Sequence, residues 1–139
     1  MSYDNNNIFA KILRDEIPAE RLYEDEHTLA FMDIMPRADG HALVIPKTPA
    51  RNMLDASPEQ LAACLKTAQT LARVMMKAFD ADGIVIQQFN EAAAGQEVFH
   101  LHYHVLPRKA GVPLRPPGNM EDADVIKGFA EQIREALDS

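Results

Sequence analysis

The sequence predicts an α+β domain built on an antiparallel sheet, and three observations predict it. Strand-length runs are joined by hairpin-length connections, one long amphipathic helix interrupts them, and no strand–helix–strand unit repeats. With 139 residues, the chain fits one domain spanning 1–139. Its 47% hydrophobic content supplies a core, and 25% charged residues exclude disorder of the whole chain.

The elements follow in order. The Asn5-Asn6-Asn7 triplet frays or caps a short helix over Ile8–Leu13, which Pro18 ends. Two strands follow, near Arg21–Glu24 and over 28–33, and Pro36 and Gly40 bracket a turn. Ala42–Pro46 is a third strand, closed by its proline. Ser57 as N-cap, Pro58 at the first position and Gln60 in a capping box start a helix over 58–79. Leu61, Leu65, Ala68, Ala72, Met75 and Phe79 draw one apolar stripe along it, with Cys64 beside the stripe as a small core or boundary residue. Strands over 84–90 and 98–107 flank the loop 91–97. Prolines 113, 116 and 117 and Gly118 mark an irregular stretch. A last amphipathic helix covers 122–137, with Ile126, Phe129, Ile133 and Leu137 on one face.

Composition also bounds function. Fourteen basic against 21 acidic residues give a net charge of −7, which argues against a nucleic-acid surface but leaves a small phosphorylated ligand open. No apolar run approaches the roughly 20 residues of a membrane span, and the polar N-terminus is not a secretory signal. One cysteine, Cys64, allows neither an internal disulfide nor a Cys-based zinc site. A cytoplasmic location is expected.

Three of the five histidines fall in five residues: His100-Leu101-His102-Tyr103-His104. In a strand, Val98, His100, His102, His104 and Leu106 share one face. Phe99, Leu101, Tyr103 and Val105 share the other, which suits a helix-covered core. Three readings are open. A His-rich solvated strand is the plainest. A metal site is the second. The outer two histidines lie about 13 Å apart along a strand, so all three converge poorly on one ion, though two of them with His41 remain possible. Phosphoryl chemistry is the third. A neutral imidazole can attack phosphorus, and a neighbouring histidine can stabilise the developing charge. The Gly95-Gln96 turn would bring amide donors near the phosphate.

The run His100-Leu101-His102-Tyr103-His104-Val105-Leu106 resembles the histidine-triad (HIT) pattern. The resemblance extends over Ile8–Pro107 through Ile8-Phe9-Ala10-Lys11-Ile12, Glu16-Ile17-Pro18-Ala19, Leu29-Ala30-Phe31-Met32-Asp33-Ile34, His41-Ala42-Leu43-Val44-Ile45-Pro46-Lys47, Asn90-Glu91 and Gly95-Gln96. It is most similar to the Hint-type nucleoside phosphoramidate hydrolases. The resemblance implies a five-stranded antiparallel sheet with helices on one side, one long and one short helix plus a C-terminal helix. It also implies a homodimer whose sheets join, with much of the contact from helix 58–79. The implied substrate is a purine nucleoside 5′-phosphoramidate or another AMP conjugate, hydrolysed through a nucleotidyl-histidine without a cofactor.

Residue by residue, His102 matches the nucleophile, and His104 the group that binds the phosphoryl and helps the leaving group. The carbonyl of His100 matches the acceptor that fixes the tautomer of His102, and His41 a supporting histidine. Asp33 resembles the ribose-binding carboxylate. Ile8, Phe9, Ile12, Ile17, Phe31 and Ile34 resemble the apolar walls around the base, and Asn90 and Gln96 polar residues near the phosphate. Glu97 stands where the Hint branch has a serine that assists the leaving group. Asn7, Ala10 and Pro49 replace the ligands of a structural zinc found in some bacterial members, so no metal is expected. Arg108 and Lys109 continue a run more like the Fhit-type dinucleoside polyphosphate hydrolases. With Arg115 they would reach a longer polyphosphate, which makes such a hydrolase the alternative. A nucleotide-binding regulatory protein with incidental activity is the other. The segment 112–139 is an extension beyond the core, about 8–107, and matches neither branch.

Overall fold

The computed structural model describes residues 2–139. Asn7 starts the first helix, α1 (Ile8–Leu13), by accepting the Ala10 N–H on its side chain at 2.9 Å. Pro18 does not end it. The helix stops at Leu13, and Asp15 then takes a left-handed conformation (φ 62°). Strands β1 (Arg21–Glu24), β2 (Thr28–Met32) and β3 (Ala42–Pro46) follow, then α2 (Pro58–Ala78), β4 (Gly83–Gln87), a 3-10 turn at Ala92–Ala94, β5 (Tyr103–Arg108) and α3 (Ala123–Asp138). The sheet runs β1-β2-β3-β5-β4 with every pairing antiparallel.

Both faces of β2 and β3 are buried, which explains their unbroken apolar runs. On one face Ala30, Met32, Val44, Leu101, Tyr103 and Val105 meet Cys64, Leu71 and Met75 of α2 and Ile126 and Ile133 of α3. On the other, Leu29, Phe31, Leu43 and Ile45 pack with Phe9 and Ile12 of α1. The helices therefore do not share one side. The alternating apolar residues of β2 and β3 give the sheet a second dry face, and α1 covers it.

The capping box at Ser57 and Gln60 forms in both directions. The buried stripe of α2, however, runs through Cys64, Thr67, Ala68, Leu71 and Met75, and Leu65 is 49% exposed. A polar residue can join that stripe because the Thr67 hydroxyl hydrogen-bonds the Thr28 hydroxyl at 2.7 Å, so neither is buried unpaired.

Gly40 positions the turn that leads into β3. Its φ is +83°, and a Cβ there would stand 2.5 Å from the Phe79 ring. Glycine therefore permits both the left-handed turn and the approach of Phe79. No helix among the described residues is long and apolar enough to cross a membrane.

Candidate functional site

The strand carrying the histidines begins at Tyr103, not at Val98. Before it the chain bends at residues 98–100 and docks sideways. Leu101 N–H bonds the Ala50 carbonyl at 2.8 Å, and the His100 ring bonds the Pro46 carbonyl at 2.9 Å. These contacts replace a sheet ladder. The alternation survives: Leu101, Tyr103 and Val105 enter the helix-side core, while the His102 ring packs edge-on against Phe9, 4.9 Å between centroids.

Each imidazole has a defined proton. A carbonyl only accepts, so His100 carries hydrogen on Nε2, and its Nδ1 accepts the Tyr3 hydroxyl at 2.6 Å. His102 Nδ1 donates to the His100 carbonyl at 2.7 Å, which leaves its Nε2 with a free lone pair. Arg37 N–H donates to His41 Nδ1 at 3.0 Å, so the hydrogen of neutral His41 sits on Nε2. That group donates to His104 Nδ1 at 2.9 Å, and His104 keeps its hydrogen on Nε2. Two neighbouring rings, 5.0 Å apart, thus offer opposite chemistry: a lone pair on His102 and an N–H on His104.

Burial holds all four rings neutral. It lowers the pKa of His102 and of His41, and Arg37 and Arg115 push His41 the same way while Asp33 opposes. Burial takes His100 down to about 4. It takes His104 to about 3, with help from His102 and His41.

Asp33 lies beside this chain, its Oδ2 3.5 Å from His41 Nε2 and its Oδ1 accepting the Met35 N–H at 2.8 Å. Asp33, His41 and His104 are close enough to suggest a metal. The donor set does not fit one as it stands. The two nitrogens are 2.9 Å apart and share a proton, whereas two tetrahedral zinc ligands at 2.0–2.1 Å from the ion sit about 3.3 Å apart. Freeing His41 Nε2 for an ion would turn its other N–H against the Arg37 N–H. Of the three positions matching a structural zinc, Asn7 is the α1 cap, Ala10 is buried and Pro49 is exposed.

The remaining candidates divide. Phe9, Ile12 and Phe31 are core residues, and Phe9 reaches the triad. Ile17 is half-buried against that cluster, while Ile8 and Ile34 are exposed. Gln96 is buried, and its amide is used by the loop. It donates to the Arg51 and Val98 carbonyls, and it accepts from the Glu91 N–H and the Asn52 side chain. Asn90 accepts the Met53 N–H and pairs with the Gln88 amide. Both side chains hold the loop. The amides of Gly95 and Gln96 also bond inside the turn, to the Ala92 and Glu91 carbonyls, so they do not face outward as donors. Glu97 is exposed, without a hydrogen bond or ion pair among the described residues.

Residues outside the sequence pattern support the site. Tyr3 locks His100, Arg37 fixes His41 through its backbone, and Phe89 packs edge-on against His104 at 5.6 Å. Arg51 forks onto Glu91 at 2.7 and 2.8 Å while lying over the Phe99 ring. Arg108, Lys109 and Arg115 line a separate cavity toward the helices, with Phe79 and Phe129, instead of extending the row of rings.

Residues 14–111 match the HIT domain family. An uncharacterised HIT-like protein of Methanocaldococcus jannaschii is 43% identical over 94% of this chain and 92% of its own length. The adenosine 5′-monophosphoramidase of Saccharomyces cerevisiae is 35% identical over 94% of this chain and 82% of its own. The crystal structure of a Hit-like protein involved in cell-cycle regulation from Bartonella henselae, with an unknown ligand, superposes with a TM-score of 0.93. It is 51% identical and covers 98% of this chain and 99% of its own.

Proposed function

Because this chain belongs to the HIT family, we propose that it is a hydrolase of purine nucleoside 5′-phosphoramidates or related AMP conjugates, working through a nucleotidyl-His102 intermediate. The observation that carries the reading is the bond from His102 Nδ1 to the His100 carbonyl. It turns a bare lone pair on Nε2 outward beside a donor N–H on His104. In the first step His102 Nε2 bonds to the α-phosphorus, and the phosphorus–nitrogen bond breaks. The amine leaves with its bonding pair and takes a proton from solvent. His104 Nε2–H hydrogen-bonds a phosphoryl oxygen and stabilises its growing charge. In the second step water attacks phosphorus and gives a proton to solvent, the phosphorus–Nε2 bond breaks with its electron pair returning to His102, and AMP leaves with His102 neutral.

Asp33 is assigned the ribose hydroxyls, with the exposed Ile8 and Ile34 beside the base and Phe9 between base and triad. Gln96 and Asn90 act by holding the loop. The relative that is an adenosine monophosphoramidase supports this substrate class. The open outer edge of β4 and the exposed Leu65 and Met76 of α2 support a homodimer joined along that side.

The test compares kcat/KM for adenosine 5′-phosphoramidate and diadenosine tetraphosphate, with His102→Ala as control. The phosphoramidate should be preferred, and the variant should lose at least about a thousandfold. Rapid quench should trap an adenylylated chain in the wild type alone. A preference for the polyphosphate would make the protein a dinucleoside polyphosphate hydrolase. Binding of AMP without turnover of either substrate would make it a nucleotide-binding protein.

A further inference from the structure

We propose that the cavity between the end of α2, α3 and the loop after β5 is a second ligand site, for a phosphomonoester carrying a flat apolar group. The cavity holds about 570 Å³, within the range of small-molecule sites. It opens beside the helices, on the opposite side of the sheet from Phe9 and the His102 ring.

Its charge is opposite to that of the protein. Arg37, Lys77, Arg108, Lys109 and Arg115 line it, against the carboxylates of Asp39 and Asp80. Arg115 is paired with Asp39 at 2.9 Å and approaches Glu121 at 3.5 Å, and Lys109 stands 3.7 Å from Asp80. Arg37, Lys77 and Arg108 have no carboxylate within ion-pair distance among the described residues. A chain of net charge −7 thus gathers three uncompensated cations around one hollow. Gathering like charges is unfavourable without an anion and attracts one strongly where apolar walls focus the field.

The arginines are also held in place. Arg37 Nε donates to the Arg115 carbonyl at 2.8 Å, and Arg115 N–H donates to the Arg37 carbonyl at 2.9 Å. The terminal guanidinium nitrogens of Arg37 are left for a ligand. A fork of such donors matches a phosphate better than a lysine does. Phe79 and Phe129, edge-to-face at 5.7 Å, also line the cavity, together with Val112, which is 57% exposed. Cations and two aromatic rings lining one cavity point to an aryl or similarly flat phosphate.

The site also touches the triad. The backbone N–H of Arg37 is the donor that sets the tautomer of His41. A ligand that grips the Arg37 side chain therefore pulls on the residue that orders His41 and His104.

Phenyl phosphate titrated into the full-length, isotopically labelled protein tests the assignment, with amide NMR as the readout. Amides of residues 77–81 and 109–112 should shift along one saturation curve, and Lys77→Glu should weaken Kd by about tenfold or more. Arg37→Gln should weaken it similarly. Hydrolysis by Lys77→Glu without added ligand should equal wild type. Shifts confined to residues around the triad, or an unchanged Kd in both variants, would overturn the site. Equal affinity for inorganic phosphate would overturn the apolar half of the assignment.

Discussion

Acidification should destabilise this protein through His100 before its carboxylates begin to titrate. His100 is fully buried, and its two ring nitrogens are taken by the Pro46 carbonyl and the Tyr3 hydroxyl. Burial lowers its pKa from 6.5 to about 4 in the folded chain. Below pH 6.5 the unfolded chain takes up this proton and the folded chain does not. Stability is therefore unaffected above that pH and falls as pH drops toward 4. The gap of about 2.5 units at 1.36 kcal/mol each gives a loss of about 3 kcal/mol by pH 4, and about 2 kcal/mol by pH 5.

His104 acts with the same sign, and so do His41 and His102, although rings sharing hydrogen bonds do not add simply. Even the His100 share is large against the 5–15 kcal/mol of a typical domain. The carboxylates answer in a lower window. Hydrogen bonds from Lys47 and Arg51 hold Glu24 and Glu91 below their ordinary value of 4.5, so their contribution is lost as pH falls from 4.5 through those lowered values. Urea unfolding at pH 7, 6 and 5, with NMR titration of the histidine rings, measures both effects. Stability should fall by at least about 2 kcal/mol between pH 7 and 5, and the His100 ring signal should stay fixed over that interval. A flat stability profile, or a His100 ring that titrates near 6.5, would refute the reasoning.

Three further outcomes follow from the same geometry. Tyr3→Phe removes the hydroxyl that caps His100 Nδ1; it should cost about 1 kcal/mol in denaturant unfolding and lower kcat with KM unchanged, while a change in KM alone would place Tyr3 on the substrate. Gly40→Ala meets both the positive φ and the Phe79 ring; it should lower stability by about 2 kcal/mol or more, and an unshifted Tm would contradict the close approach. Asp33→Ala should weaken binding of ribonucleotides far more than of their deoxyribose analogues, and equal losses for the two would remove the ribose role.

The parts of the fold that were legible in the sequence are those set by neighbours in the chain. Pro58, Ser57 and Gln60 start α2 with chemistry confined to four residues, and the bounds of β3 coincide with its apolar run. The illegible parts depend on residues distant in sequence. Leu65 looks like stripe and Thr67 like surface until Thr28, 39 residues away, supplies the hydroxyl that lets Thr67 be buried. The position of α1 on its own face follows from the apolar side of β2 and β3 that α2 leaves uncovered. The strand at the triad begins late because Ala50 and Pro46, which belong to another segment, capture Leu101 and His100.

The candidate site divides in the same way. Alternation identifies which histidines face together, since that depends only on the pleat of an extended chain. It cannot say which ring carries which proton. His102 and His104 are the same residue type on the same row, yet one presents a lone pair and the other an N–H. The difference comes from two backbone groups: the His100 carbonyl, two residues away, and the Arg37 N–H, acting through His41 across 63 residues of chain. A carbonyl that only accepts and an amide that only donates leave neutral rings one arrangement of hydrogens each. The asymmetry that separates an attacking nitrogen from a stabilising one is therefore written in the backbone. Replacing His104 with a residue of similar size should consequently remove the donor and leave the lone pair of His102 in place. Adenylylation of His102 should slow without being abolished, and complete loss of the trapped adduct would show that the two rings depend on each other for their protons.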